Sequence, residues 1–294
     1  MLKYYILIIL LIILFITHYS YNLHSNSEYT ILQLSKPTPT ILENNLLKKL
    51  PTIITDEVDT WQDFQNFHID DLTKNNTEIK LQSSIVEQQN TKLENISLNK
   101  FIEWLQKIKD NKENIYCYDS LIFDNHPLFS NINEYTTKIS SPTNIKNEYK
   151  LIIGPSNTKH GLYTNKKYRH FIVQLQGTRK LYLFCPDELK YLYPSDKYHP
   201  DGYTSQVNFW NIDKKKFPDF NKAKYIEILL KPKQILYIPS HWWYASENID
   251  TNVSIYINSE PAINYLLKSN EHIISFLHNS GFYKQNNSIQ FSSE

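Results

Sequence analysis

Glycine is scarce in this chain, with five residues in 294. A loop that cradles phosphate needs several glycines close together, so no glycine-rich nucleotide loop is expected. Cysteine is scarcer still: Cys117 and Cys185 stand far apart. Two distant thiols exclude a disulfide framework and a zinc knuckle, and each reads as a small buried hydrophobe. Net charge is also missing, since 31 Lys and Arg face 30 Asp and Glu, for a formal charge of +1. Phosphate binding needs a basic face, so no nucleic-acid partner is expected. Short clusters such as Lys214-Lys215-Lys216 read as solvated surface. Alanine is nearly absent while Asn, Ile, Lys and Tyr abound, a pattern that reads as coding bias.

What is present is enough length and apolar content for one sizeable domain with tails: 294 residues at 41% hydrophobic. The first 21 residues read as a signal anchor. Lys3 precedes an unbroken apolar run from Tyr4 to Ile16, thirteen residues against the ~20 that span hydrocarbon. Thr17 and the interfacial tyrosines extend it, so residues 4–21 are the expected membrane contact. The basic side is N-terminal, which predicts a single-pass protein with its main domain on the non-cytosolic side. Secretion after signal cleavage is the alternative, with Ser25 and Ser27 as weak cleavage-site residues. Sequons at Asn75, Asn95, Asn252 and Asn286 permit glycosylation.

Residues 22–46 are polar and punctuated by "SKPTPT", and read as a linker with little fixed structure. From "LPTIIT" (50–55), read as an edge or entry strand, the character changes to short strands and amphipathic helices. "TWQDFQNFHIDDLTKN" reads as a short helix and "EIKLQSSIVE" as a strand. "SLNKFIEWLQKIKDN" has Phe101, Leu105 and Ile108 at helical spacing, with Ser97 as the N-cap. "HFIVQLQGTRKLYLFCP" reads as strand, tight turn at Gly177, and strand stopped at Pro186. "YIEILLKPKQILYIPS" repeats the pattern. "NVSIYINSE" alternates cleanly, with Val253, Ile255 and Ile257 on one face and Ser254, Tyr256 and Asn258 on the other. Residues 263–294 are a C-terminal helix and tail. Short strands with turn punctuation, preceded by helices, predict a mainly β fold with helical decoration: a double-stranded β-helix or jelly roll over residues 47–262.

Four stretches carry a family resemblance: "LPTIITDEVDTW", "IGPSNTKHGLYTN", "VQLQGTRKLYLFCPDELKYLYP" and "LLKPKQILYIPSHWWYASEN". They resemble a cupin-like JmjC domain of the asparaginyl-hydroxylase branch. The resemblance implies a site in which two histidines and one carboxylate hold Fe(II), leaving positions open for 2-oxoglutarate and oxygen. Laid residue by residue, the His-x-Asp motif falls on Tyr163-Thr164-Asn165, and the histidine after the paired tryptophans falls on Tyr244. Arg179 takes the place of the basic residue that grips the co-substrate carboxylate, and Asn258 that of the late-strand asparagine.

Tyr163, Asn165 and Tyr244 offer a neutral amide and two phenols. At an ordinary phenol pKa of ~10, each phenolate costs on the order of 4 kcal/mol at pH 7, and tyrosinate favours ferric over ferrous iron. The expectation is therefore a catalytically silent binding module with no cofactor, taking a protein, a glycan or a small carboxylate. The alternative is an active Fe(II)/2-oxoglutarate-dependent protein hydroxylase with unorthodox ligands. A relocated metal set of His160, His170 and His241 stays open, as does a structural zinc. Against that set, an offset of three in a strand puts His160 and His241 on the face opposite Tyr163 and Tyr244. The bland reading makes all three histidines surface or turn residues. Arg179 reads equally as a clamp or as an outward residue of a hairpin, and Trp242 and Trp243 read as packing. A homodimer through the C-terminal helix is what the family resemblance implies.

Overall fold

The computed structural model describes residues 2–23, 26–74, 77–84, 91–108, 111, 114–140, 144–165, 167–195 and 202–261. The strands are β1 (Leu32–Ser35), β2 (Thr52–Thr55), β3 (Glu78–Ser84), β4 (Thr91–Ser97), β5 (Ile115–Asp119), β6 (Asn144–Gly154) and β7 (Lys159–Asn165). They continue with β8 (Arg169–Gln176), β9 (Arg179–Phe184), β10 (Gly202–Thr204), β11 (Ile226–Leu230), β12 (Ile235–Pro239), β13 (Trp243–Asn248) and β14 (Asn252–Pro261). The helices are α1 (Leu2–Leu23), α2 (Pro39–Leu46), α3 (Leu98–Lys107), α4 (Ile122–Asn125) and α5 (Ile132–Thr137).

Two sheets face one another. One has nine strands in the order β1-β2-β12-β8-β14-β6-β5-β3-β4, and the other has five, β10-β7-β13-β9-β11. This is the expected jelly roll. Residues at either side of a tight turn do not pair as a hairpin: β8 lies in the large sheet, β9 in the small one, and β11 and β12 divide in the same way. Gly177 makes the first of these crossings possible. Its φ is +74°, and a Cβ there would sit 2.2 Å from the Thr251 carbonyl oxygen.

Strand alternation sorts the apolar residues into three cores. Ile172, Leu236, Ile238 and Tyr256 of the large sheet meet Leu181, Leu183, Ile228 and Tyr244 of the small one inside the barrel. Val173, Val253, Ile255 and Ile257 face the other way, into a core with Trp61, Phe64, Phe101 and Phe129. Leu162, Phe184 and Trp243 turn outward from the small sheet to pack with Phe217 and Phe220. The paired tryptophans thus go to opposite faces, Trp242 inside and Trp243 outside, and both are buried. The clean alternation read in "NVSIYINSE" is the alternation of β14.

Several expectations are corrected. Residues 22–46 are not an unstructured linker, because β1 and α2 lie within them. Thr38 Oγ1 caps α2 by accepting from the Ile41 N–H, Pro39 starts it, and Leu42 and Leu46 bury one side. Glu43 on the same helix meets the buried Arg169 at 2.7 Å, tying α2 to β8. β2 is no edge strand: β1 pairs with it in parallel and β12 on its other side. The stretch read as one helix from Thr60 begins on the last residue of a 3₁₀ turn, Val58–Thr60, and holds a second, Ile69–Lys74. Ser97 does cap α3, accepting from the Lys100 N–H. Asn252 is buried in β14, so the folded chain presents no glycosylation acceptor there.

His24–Glu260 forms one compact unit. The N-terminal segment is helical, with Tyr4 to Ile13 exposed. Among the described residues no helix is long and apolar enough to cross a membrane. The unbroken apolar run makes up thirteen residues of the 22 in α1. The expected C-terminal helix, the dimer through it and the sequons at Asn75 and Asn286 lie outside the described residues.

Candidate functional site

The register of the small sheet places Tyr244 opposite Tyr163 and, on its other side, opposite Leu183. Both tyrosines point inward, their ring centroids 4.4 Å apart, and their hydroxyls are hydrogen-bonded to each other. Tyr244 Oη also lies 2.8 Å from His170 Nε2. On the far side of that imidazole, Nδ1 lies 2.8 Å from Asn258 Oδ1, which accepts a further bond from Asn165 Nδ2 at 2.9 Å. Asn258 and His170 are register partners on β14 and β8.

The pattern of donors and acceptors closes without any net charge. The Asn258 oxygen only accepts, so His170 donates from Nδ1; with the neutral ring its Nε2 accepts from Tyr244, which then accepts from Tyr163. Burial holds the Tyr163 phenol well above its ordinary pKa, and neighbouring Tyr244 and Tyr256 push it the same way. These groups are bonded to one another, and none of them is a carboxylate or a thiol. A ferrous ion needs open lone pairs and negative charge, and the set at Tyr163, Asn165 and Tyr244 supplies neither, so it does not fit the metal of the resembling family. Among the described residues, no group of three or more His, Cys, Asp or Glu side chains stands together as a metal site.

The three histidines of the relocated set are not brought together. His241 is exposed, at φ +70° in the turn before the tryptophans. His160 and His170 are buried, contrary to their reading as surface residues. His160 owes its position to a β-bulge. Ser246 is opposite His160 while Tyr244 is opposite Tyr163, so two residues of β7, Gly161 and Leu162, face the single Ala245 of β13. The bulge resets the alternation and returns His160 to the inner face, its ring edge-on to Tyr116 at 4.6 Å. The parity argument that sent His160 outward fails for that reason.

A second polar layer lies one step further along the barrel. Arg179 is fully buried and does not point outward. Its Nη1 donates to the Tyr256 hydroxyl and its Nη2 to Asn252 Oδ1 at 2.9 Å. Both acceptors are neutral, and among the described residues no carboxylate pairs with this guanidinium. Five buried polar atoms near it lack a hydrogen-bond partner: Arg179 Nε, His160 Nε2, Ser246 Oγ, Asn248 Oδ1 and Asn252 Nδ2. Register ties them together, since Asn248 is opposite Arg179 and Ser246 opposite His160. Three of the five carry hydrogen to donate and a fourth, on the imidazole, can do so in one tautomer. Burial, and secondly the Arg179 charge, holds the His160 imidazole well below its ordinary pKa.

Two facing, mainly antiparallel sheets with an inward polar site between them define the cupin class of β-helix proteins. The chain belongs to the cupin-like domain family, of JmjC type: the model described as "Cupin-like domain" matches residues 34–263. It is 38% identical over 91 residues to HSPB1-associated protein 1 of Homo sapiens, covering 31% of this chain and 18% of that protein. It is 34% identical over 102 residues to lysine-specific demethylase 8 of Danio rerio, 35% of this chain and 25% of that one. It is 30% identical over 257 residues to JmjC domain-containing protein D of Dictyostelium discoideum, 79% of this chain and 56% of that one. The chain thus spans between about a fifth and about half the length of these relatives.

Proposed function

We propose that this chain is a binding module that takes a small carboxylate in the barrel at Arg179, without a metal and without turnover. The observation that supports this most directly is the buried guanidinium with neutral partners only and unused donors around it. An isolated charge in a protein interior costs several kcal/mol unless an anion or a metal-like partner offsets it. A carboxylate supplies two acceptor oxygens and the missing charge, and Arg179 Nε, Ser246 Oγ and Asn252 Nδ2 supply donors for it. Asn258, the other residue expected at the pocket, belongs in this reading to the neutral layer with Tyr163, Asn165 and Tyr244. A protein ligand on the outer surface is compatible with this role, in the sense that the name HSPB1-associated protein 1 suggests for that relative. The exposed apolar side chains of α1 support membrane association of the whole chain, readable by flotation with phospholipid vesicles.

The test is calorimetric titration of the full chain with 2-oxoglutarate, in excess chelator and again with Fe(II) under anaerobic conditions. Saturable one-to-one binding in chelator, lost in Arg179→Met, is the expected result. Carboxylate binding that appears only with iron, or release of CO₂ from 2-oxoglutarate in air, defeats the proposal and favours an oxygenase.

A further inference from the structure

We infer that His160 is the second cationic arm of the Arg179 site, and that a carboxylate enters this site together with a proton taken up at His160 Nε2. The inference rests on the preceding reading and assigns to that site a residue and a regulation. The bulge at Gly161–Leu162 is its structural root, because without it His160 would stand outside the barrel. Inside, His160 Nε2 is buried with no hydrogen-bond partner, beside a fully buried guanidinium whose Nε also has none. Tyr116 packs edge-on against the imidazole from β5, and the indole N–H of Trp210 donates to the His160 backbone carbonyl at 3.2 Å, which anchors the chain there.

Among the described residues, few charged or titratable groups face His160. Arg179 comes from β9 and Tyr116 from β5, while Tyr256 of β14 lies beyond Arg179 as its hydrogen-bond partner. β13 offers Ser246 and Asn248, which do not titrate. Without ligand, burial and the Arg179 charge both oppose protonation, so the imidazole is neutral. A carboxylate between the two reverses the second effect and offers Nε2–H an acceptor. The imidazole pKa then rises, and by reciprocity a lower pH tightens the anion. The site is thereby suited to an acid delivered with its proton, held by two cationic arms.

The probe is 2-oxoglutarate, whose carboxylates stay ionised from pH 5.5 to 8, titrated into the full chain. Calorimetry in two buffers of different ionisation enthalpy counts the protons. Close to one proton taken up per anion bound near neutrality is expected. Affinity should rise up to about tenfold per pH unit on acidification, the limit for one linked proton. His160→Gln should still bind and show a flat profile. Imidazole ¹⁵N shifts of the wild-type chain, with and without the probe, give a readout that needs no variant: the His160 signal should move from neutral to protonated on binding. Binding that is flat with pH in the wild type, or a slope retained in His160→Gln, overturns this inference and leaves the carboxylate site standing. Absence of binding at every pH overturns both.

Discussion

Tyr244 holds the centre of the neutral layer, with Tyr163 on one side of its hydroxyl and His170 Nε2 on the other. Tyr244→Phe removes that hydroxyl and leaves a buried imidazole nitrogen without its donor. The expected loss is about 1–3 kcal/mol of stability, measured by urea unfolding. Arg179→Met should act in the opposite direction. It removes a buried charge that has no anion in the free protein, so the free chain should gain about 1–4 kcal/mol while losing the carboxylate. A thermal melt with and without 2-oxoglutarate reads both effects. The triple variant Tyr163→His, Asn165→Asp, Tyr244→His installs the donor types that the family resemblance implies and should acquire Fe(II) binding above the wild-type level, measured by elemental analysis after anaerobic loading. At this scale the sequence was partly legible. Tyr163, Asn165, Tyr244 and Asn258 could be placed from motif positions, and they meet in space. His170 could not, because its role depends on β14 lying beside β8, a contact between residues 88 apart in sequence.

Strand alternation could be read in the sequence, but breaks in it could not. "NVSIYINSE" reports its two faces faithfully because the register shift at Val253–Ser254 places its extra residue on β8 and leaves the period of β14 intact. β7 does not, and its one-residue bulge reverses the side on which His160 lies. A bulge costs no residue type in particular here: Gly161 has ordinary surroundings, with nothing within 4 Å of where a Cβ would be. Gly177 differs, since its positive φ and the 2.2 Å approach to Thr251 both forbid a side chain. Gly177→Ala should therefore destabilise the β8–β9 crossing by more than the ~1 kcal/mol of a simple propensity change. Amide exchange at Thr178 and Ile249, which bond across that crossing, should rise first. The same two strands read in sequence as a hairpin, because a tight turn looks alike whether the strands pair with each other or leave for separate sheets.

For the whole molecule, acid is the informative perturbant. Burial is the first cause that holds both His160 and His126 below the ordinary imidazole pKa. The unfolded chain protonates them near pH 6.5, while the folded chain resists. Between neutrality and pH 5.5 the unfolded state therefore binds more protons, and stability should fall as pH falls through about 6.5. Urea unfolding at pH 7.5 and 5.5 measures the drop, and His160→Gln should reduce it.

The sequence by itself determined the class of this protein. Strand alternation, turn residues and four motif stretches specify a cupin-like barrel, and residue identity puts Tyr163, Asn165 and Tyr244 at the positions where the family resemblance implies metal ligands. The tertiary structure decided how these residues meet. Register brought Tyr163, Tyr244, His170, Asn258 and Asn165 into one neutral hydrogen-bonded layer, and a bulge set His160 beside Arg179. The reason is range: side-chain chemistry and local period are written along the chain, whereas which groups share a buried space depends on pairings between strands far apart in it.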